Sequence, residues 1–210
     1  SRPEKNEDCN KRMGKIFYLI GKSASGKDHI YEYLERQEEL ELHPLILYTT
    51  RPIRKGEQDG SAYFFTDETK LEELRREHKI IEERMYRTVH GPWYYFTADD
   101  GQISLEKNDY LGIGTLESYE KLKAYYGEEH MCPLYVEVED GIRLERALKR
   151  ERKQEQPKYA EMCRRFLADC EDFSEEKIEK AGIRRRFYNN GTLEECISEI
   201  QNFVEQVKKL

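Results

Sequence analysis

Residues 21–28 read GKSASGKD, which satisfies the pattern G-x-x-x-x-G-K. They lie between an apolar run of strand length, KIFYLI (15–20), and a segment of helical composition that starts at Lys27. Two glycines at this spacing let the backbone curl, so that the N–H groups of Ser23, Ala24, Ser25 and Gly26 converge on a shared centre. The start of the helix adds the positive end of its dipole. Gly21 opens the loop, and Lys27 has the reach to touch the outer phosphates of a nucleotide. Such a cradle binds a polyphosphate, and ATP is the expected ligand. The next position commonly carries a hydroxyl that ligates Mg²⁺; here it is Asp28. A carboxylate is a hard oxygen ligand, so Asp28 is a candidate metal ligand. Without the metal, its charge beside phosphates would be costly.

A second cluster suited to phosphate occupies YTTRPIRKGEQDGSAYFF (48–65). Arginine offers forked donors to phosphate oxygens, and tyrosine adds a directed hydroxyl. The segment resembles the acceptor-binding stretch of guanylate kinases, T-T-R-x-x-R-x-G-E-x-x-G-x-x-Y, with Thr49, Thr50, Arg51, Arg54, Gly56, Glu57, Gly60 and Tyr63 all in place. The likeness extends more weakly over residues 15–208. It implies an ATP- and Mg²⁺-dependent transfer of a phosphoryl group to a nucleoside monophosphate, GMP being the expected acceptor. It also implies that Arg51, Arg54, Glu57 and Tyr63 bind the acceptor on its phosphate side. IIE (80–82) and Tyr94-Tyr95 look like the family's next two elements. By that match Glu82 faces the adjacent N1–H and N2–H₂ donors of guanine, Tyr95 contacts the acceptor phosphate, and Thr97 lies with them. The stretch 143–173 resembles the family's lid and the helix after it. There Arg165, beside Arg164, and Arg152 are the arginines implied to act on the transferring phosphate, with Arg146 and Arg150 nearby. Asn190 stands where the family places an asparagine near adenine.

The resemblance has gaps. The family's Asp-x-Asp pair at the end of the strand after the acceptor region falls on Gly112 and Gly114 of YLGIG (110–114). A base-contacting serine falls on Leu47, and a lid arginine on Ala147. The donor loop and the phosphate-gripping arginines are kept, while part of the base-recognition set is not. Three activities therefore fit these residues: a guanylate-kinase-type enzyme, a kinase of another small phosphorylated acceptor, and a nucleotide-binding domain without catalysis.

The elements needed to hold these groups are legible as alternation. Strand-like runs at 15–20, 45–48, 62–65, 110–114, 133–138 and 185–189 are separated by helical segments near 27–42, 67–78, 116–126, 141–153, 159–173 and 192–209. Asp67 is the expected cap of the second helix. Met162, Cys163, Phe166, Leu167, Cys170 and Phe173 recur at helical spacing and predict one buried face. The aromatic stretch 79–105 predicts strands joined in a hairpin around an Asp-Gly turn. Such alternation implies a mainly parallel sheet covered on both faces. With the resemblance, the expected fold is a three-layer α/β P-loop kinase with about five parallel strands, a small antiparallel acceptor subdomain and a helical lid. The expected divisions are a core of 13–47 and 106–210, an acceptor part of about 48–105 and a lid of about 143–165. Residues 1–12 are expected to be an extension outside the fold.

Composition bounds the rest. The 210 residues carry a formal net charge of −7, with 38% charged residues of both signs interleaved. No long basic tract points to nucleic acid. No apolar run approaches the roughly 18 residues of a membrane span, and no signal peptide is visible. Five scattered cysteines without a C-x-x-C pair predict free thiols of a cytoplasmic protein. Small-molecule nucleotides are the expected partners; oligomeric state is not legible.

Overall fold

The structure, a computed structural model, describes residues 12–210. The expected extension therefore lies outside the described residues, except Arg12. That residue is tied into the fold, its guanidinium donating to Asp109 at 3.1 Å.

Strand β1 (Ile16–Gly21) is buried along its whole length. It pairs in parallel with β7 (Asp109–Gly114) on one side and β8 (Met131–Glu137) on the other. With β2 (Leu42–Pro44) and β9 (Arg186–Tyr188) at the edges, the sheet order is β2-β7-β1-β8-β9, parallel throughout. A strand apolar on both faces needs helices on both. Phe17 and Leu19 pack with Ile30 and Leu34 of α1 (Lys27–Arg36) and with Ile197, Ile200 and Val204 of α7 (Leu193–Lys208). Ile16, Tyr18 and Ile20 pack with Leu116, Tyr119 and Leu122 of α3 (Leu116–Tyr126) on the opposite face. Each such side chain contributes about 1.5–3 kcal/mol on burial. The central strand is therefore the stiffest support available to the loop that follows it.

The second sheet has the order β4-β3-β6-β5, from β3 (Leu47–Thr49), β4 (Tyr63–Phe65), β5 (Ile80–Thr88) and β6 (Gly91–Ala98). It is mixed: β3 and β4 run parallel, whereas β6 is antiparallel to both β3 and β5. α2 (Glu68–Arg76) covers it, with Asp67 capping the Lys70 N–H as expected.

Three sequence expectations are corrected here. The strand expected at 45–48 spans a crossing: β2 of the main sheet ends before it at Pro44, and only Leu47 and Tyr48 fall in a strand, β3 of the second sheet. Leu45 N–H still bonds Leu111 in the main sheet, and the Gln102 amide then takes both the N–H and the carbonyl of Ile46. That side chain bridges the crossing between sheets, which therefore falls at 45–46 rather than after 47. The hairpin turns at Val89-His90, where Gly91 has φ +98° and the Thr88 hydroxyl bonds the Gly91 carbonyl. The Asp100 carboxylate, just past β6, instead binds the Tyr48 hydroxyl and Gln102 N–H and turns the chain back to the core. The third concerns α5 (Tyr159–Asp172): of its predicted apolar face, Met162 and Phe173 are buried, but Cys163 is exposed and Leu167 is 67% exposed. α5 packs against α4 (Asp140–Arg152) and overhangs the loop after β1, so one side has no sheet beneath it. A short helix, α6 (Glu175–Lys180), was not legible in the sequence.

Gly112 and Gly114 have a physical explanation. Tyr18 on β1 is the register partner of Gly112, and its ring lies across β7. A Cβ at Gly114 would come within 2.0 Å of the Tyr18 hydroxyl and 2.6 Å of Ser118 Oγ, and one at Gly112 within 2.7 Å of the Tyr18 ring. Tyr18 and Ser118 share a buried hydrogen bond of 2.7 Å, and burial pushes the phenol's pKa well above its usual value. A neutral phenol thus fills the space that two carboxylates would need. Gly114→Ala should cost roughly 1–3 kcal/mol by overpacking. Adding Tyr18→Leu should recover part of that loss, measured by denaturant unfolding of the single and double variants.

Candidate active site

The loop between β1 and α1 is shaped by two left-handed residues, Ala24 (φ +63°) and Gly26 (φ +89°). Glycine is required at both ends. A Cβ on Gly26 would meet the Asn189 amide at 2.6 Å, and one on Gly21 would meet Ser25 Oγ at 2.8 Å. Buried Asn189, just past β9, donates its amide to the Ser25 carbonyl at 2.8 Å and clamps the loop from below. Lys27 Nζ donates to the Gly21 carbonyl at 2.7 Å, folded back along the cradle. Burial lowers the Lys27 pKa; the charges of Asp28 and Asp169 oppose this, and that of Arg84 adds to it. The Ser23 N–H donates to the Asp169 carboxylate at 2.8 Å. An anionic oxygen thus already sits on a loop donor, so the cradle fits a phosphate. The Ser25 hydroxyl is buried without a partner.

Asp28 is exposed at the start of α1 and faces the acceptor-side cleft described below. Among the described residues no cluster of three or more metal-ligating side chains occurs. One carboxylate plus phosphate oxygens is a donor set that Mg²⁺ accepts. Asn190 uses its Oδ1 on the Glu139 N–H, at the cap of α4.

On the second sheet, Arg51 is 4% exposed and forks onto Glu57 with contacts of 2.8 and 2.9 Å. Its guanidinium lies 5.4 Å from the Tyr63 ring centre and 5.5 Å from that of Phe65. The fork holds the Glu57 carboxyl down at about 2 and raises the arginine's own pKa. Glu57 also accepts the Arg54 N–H at 2.8 Å, so one carboxylate positions both halves of the arginine pair. Tyr95 meets Tyr63 edge-on at 5.6 Å. Together these groups set a buried, paired arginine beside two tyrosine rings.

Glu82 is only 3% exposed. It accepts the Thr97 hydroxyl at 3.0 Å and lies 3.4 Å from Arg84 Nε. Burial raises its carboxyl pKa, and Arg84 opposes that rise. Arg84 was not singled out from the sequence, although the signal existed. Alternation along β5 puts Glu82, Arg84 and Tyr86 on one face. Arg143 was also missed; it is 2% exposed, stacked 4.0 Å from the Phe166 ring centre and 3.7 Å from Asp169. A buried arginine inside a charged helix leaves no mark in the sequence.

Three clefts converge on this region. One, of about 790 Å³, includes Gly21, Ser23, Lys27 and Asp169. A second, of about 550 Å³, includes Asp28, Leu47, Tyr63 and Tyr95. A third, of about 380 Å³, lies under the overhanging helices with Ser23, Ala24, Arg143, Arg150 and Arg165. Of the implied lid arginines, Arg165 is therefore brought to the loop, whereas Arg152 is exposed at the end of α4 and lines none of these three clefts. Arg146 bonds the Asn189 carbonyl at 2.9 Å, and Arg164 pairs with Glu161.

Comparison with known proteins agrees with this arrangement. The guanylate kinase family profile matches residues 13–207. A guanylate kinase of Mycoplasma mobile is 30% identical over 206 residues, covering 92% of this chain and 93% of that protein. One from Chromobacterium violaceum is 31% identical over 107 residues, and one from Porphyromonas gingivalis 30% identical over 123. Those two matches cover 49% and 57% of this chain, and 50% and 63% of the relatives' lengths. The crystal structure of guanylate kinase from Anaplasma phagocytophilum shares the fold, with a TM-score of 0.58 at 21% identity over 93% of this chain and 87% of that one. With a profile match running from just before β1 into the last helix, the chain belongs to the guanylate kinase family.

Proposed function

We propose that this protein transfers the γ-phosphoryl group of ATP to a nucleoside monophosphate, converting GMP to GDP. The observation that carries this reading is the pair of anion grips on neighbouring clefts: the β1–α1 loop with Lys27 on one, and Tyr63 and Tyr95, with Arg51 beside them, on the other. On this reading Gly21, Ser23, Ala24, Ser25, Gly26 and Lys27 hold the ATP phosphates, and Asp28 is the protein's ligand to Mg²⁺. The metal, when bound, neutralises phosphate charge. Arg51, Arg54, Tyr63 and Tyr95 hold the acceptor phosphate, Glu57 sets the arginines, and Glu82 with Thr97 reads the base. Arg165 and Arg152 approach when the lid closes, and closure excludes water as a competing acceptor. Asn190 lies on the adenine side. Among the described residues no helix is long and apolar enough to cross a membrane. Scattered thiols and free nucleotide substrates suit the cytoplasm.

A second acceptor class is favoured by one observation. Tyr18 with Gly112 and Gly114 leaves no carboxylate on β7 for a base, and Leu47 supplies no hydroxyl. Steady-state assays of ATP consumption over the nucleoside monophosphates and several sugar phosphates decide between the two. Turnover confined to a sugar phosphate would displace GMP.

Three variants test individual roles. Glu57→Gln should raise the KM for GMP by roughly tenfold or more, because it weakens a charge-assisted fork worth roughly 1.5–3 kcal/mol, while the KM for ATP stays level. Glu82→Gln should lower the ratio of kcat/KM for GMP over AMP, since the amide presents a donor to guanine's donors; an unmoved ratio removes Glu82 from base reading. Asp28→Ala should abolish turnover at ordinary magnesium levels. A magnesium titration then checks the assignment, and an unchanged half-saturation point refutes it.

A further inference from the structure

Arg84 occupies a position that the two-grip reading leaves unexplained. It projects from β5 on the same face as Glu82 and Tyr86, opposite Tyr95 in the register. It lines both larger clefts: the one with Lys27 and Gly21, and the one with Tyr63 and Tyr95. Tyr86 is the other residue shared by the two linings. A phosphoryl group passing from one grip to the other must cross the place where the clefts meet. The phosphate-loop cation, Lys27, is in the donor cleft, and the arginine pair is held by Glu57 beside the acceptor cleft. Arg165 reaches only the cleft beneath the lid.

The guanidinium is only partly engaged. The side chain is 20% exposed, and its Nε is buried without a hydrogen-bond partner. Its approach to Glu82, at 3.4 Å, neutralises charge but leaves that donor unspent. That buried atom faces Glu82; the part of the side chain that remains exposed is what an oxygen entering the two clefts can reach. Burial is the main cause of the lowered Lys27 pKa, and the charge of Arg84 adds a smaller push in the same direction.

We propose that Arg84 is a catalytic residue of this chain, gripping a non-bridging oxygen of the phosphoryl group as it moves from ATP to the acceptor. In that transfer the bond from the γ-phosphorus to its bridging oxygen breaks, and ADP leaves with the electron pair. A new bond forms to an oxygen of the acceptor phosphate. Arg84 stays protonated throughout and moves no proton. Its contribution is charge neutralisation where the phosphoryl oxygens are least covered by either grip. The inference rests on the phosphotransfer reading above.

The test compares wild type with Arg84→Gln, Arg84→Lys and the double variant Arg84→Gln/Glu82→Gln, using ATP, Mg²⁺ and GMP. Arg84→Gln should lower kcat by roughly a hundred- to a thousandfold, with the KM for each substrate within about threefold. Lysine should restore part of the rate. The double variant separates action on substrate from support of Glu82. It should stay roughly a hundredfold or more slower than Glu82→Gln alone, measured beside it, if Arg84 meets the phosphoryl group; a kcat equal to that of Glu82→Gln alone overturns the proposal, because Arg84 would then only balance a buried carboxylate. An unchanged kcat, or an effect confined to KM or to the GMP-over-AMP ratio, overturns it as well. Basal hydrolysis of MgATP, with water as acceptor, is measured in parallel. If wild type phosphorylates no nucleoside monophosphate, the acceptor assignment falls. The inference is then upheld by a comparable drop in hydrolysis with Arg84→Gln, or overturned by its absence.

Discussion

Two phosphate groups cannot be brought to bonding distance unless cations surround them. A single pair of unit charges 4 Å apart repels by about 4 kcal/mol at the effective dielectric of a protein surface, and each reactant carries more than one. This chain has a formal net charge of −7, so the cations have to be placed locally. They are: Lys27 opens α1 after the loop that follows the central strand, Arg51 and Arg54 lie in the loop between β3 and β4, Arg84 lies between the clefts, and Arg143 and Arg165 line the cleft under α4 and α5. Much of the remaining architecture keeps these groups in position before any substrate arrives.

Positioning is done largely by carboxylates. Glu57 holds the Arg51 fork and the Arg54 backbone, Glu82 lies against Arg84, and Asp169 lies against Arg143 and the loop N–H of Ser23. Each pairing prevents a buried or half-buried cation from collapsing onto a wrong partner. The Asp169 contact is of a different kind, because it uses a loop donor that ATP would need. On the proposed reading, nucleotide entry displaces the Asp169 carboxylate of α5 from the loop.

How much of this could be read from the sequence depended on how local the cause was. The phosphate loop, the cap at Asp67 and the acceptor motif were legible because each is fixed by residues a few positions apart. The crossing between sheets at Ile46 was not, since it depends on Gln102 more than fifty residues later. The hairpin was misplaced because Asp100-Gly101 is good turn chemistry, yet its carboxylate is engaged by Tyr48 from another strand. The exposed side of α5 was read as core because helical spacing reports an apolar stripe and not what lies beneath it. Arg84 was within reach of strand alternation, whereas Arg143 was hidden in a run of charges whose other members are mostly exposed.

The glycines on β7 show why a departure from a family pattern should be traced through its packing partners. Taken alone, Gly112 and Gly114 are lost acids. In the structure they belong with Tyr18 and Ser118, because the phenol fills the volume above both glycines and bonds the serine at the start of α3. Neither acid can be restored while Tyr18 remains, since even a single added carbon at either position meets the phenol well inside contact distance. If a metal-side charge is supplied, as proposed above, it comes from another element, and Asp28 is the carboxylate at the start of α1, next to Lys27. On the proposed reading, the negative charge has moved from the strand to the helix. The base-facing end of the site has exchanged acids for a neutral ring. On that reading acceptor choice there rests on Glu82 with Thr97, whose hydroxyl donates to the carboxylate, and Arg84 lies beside them.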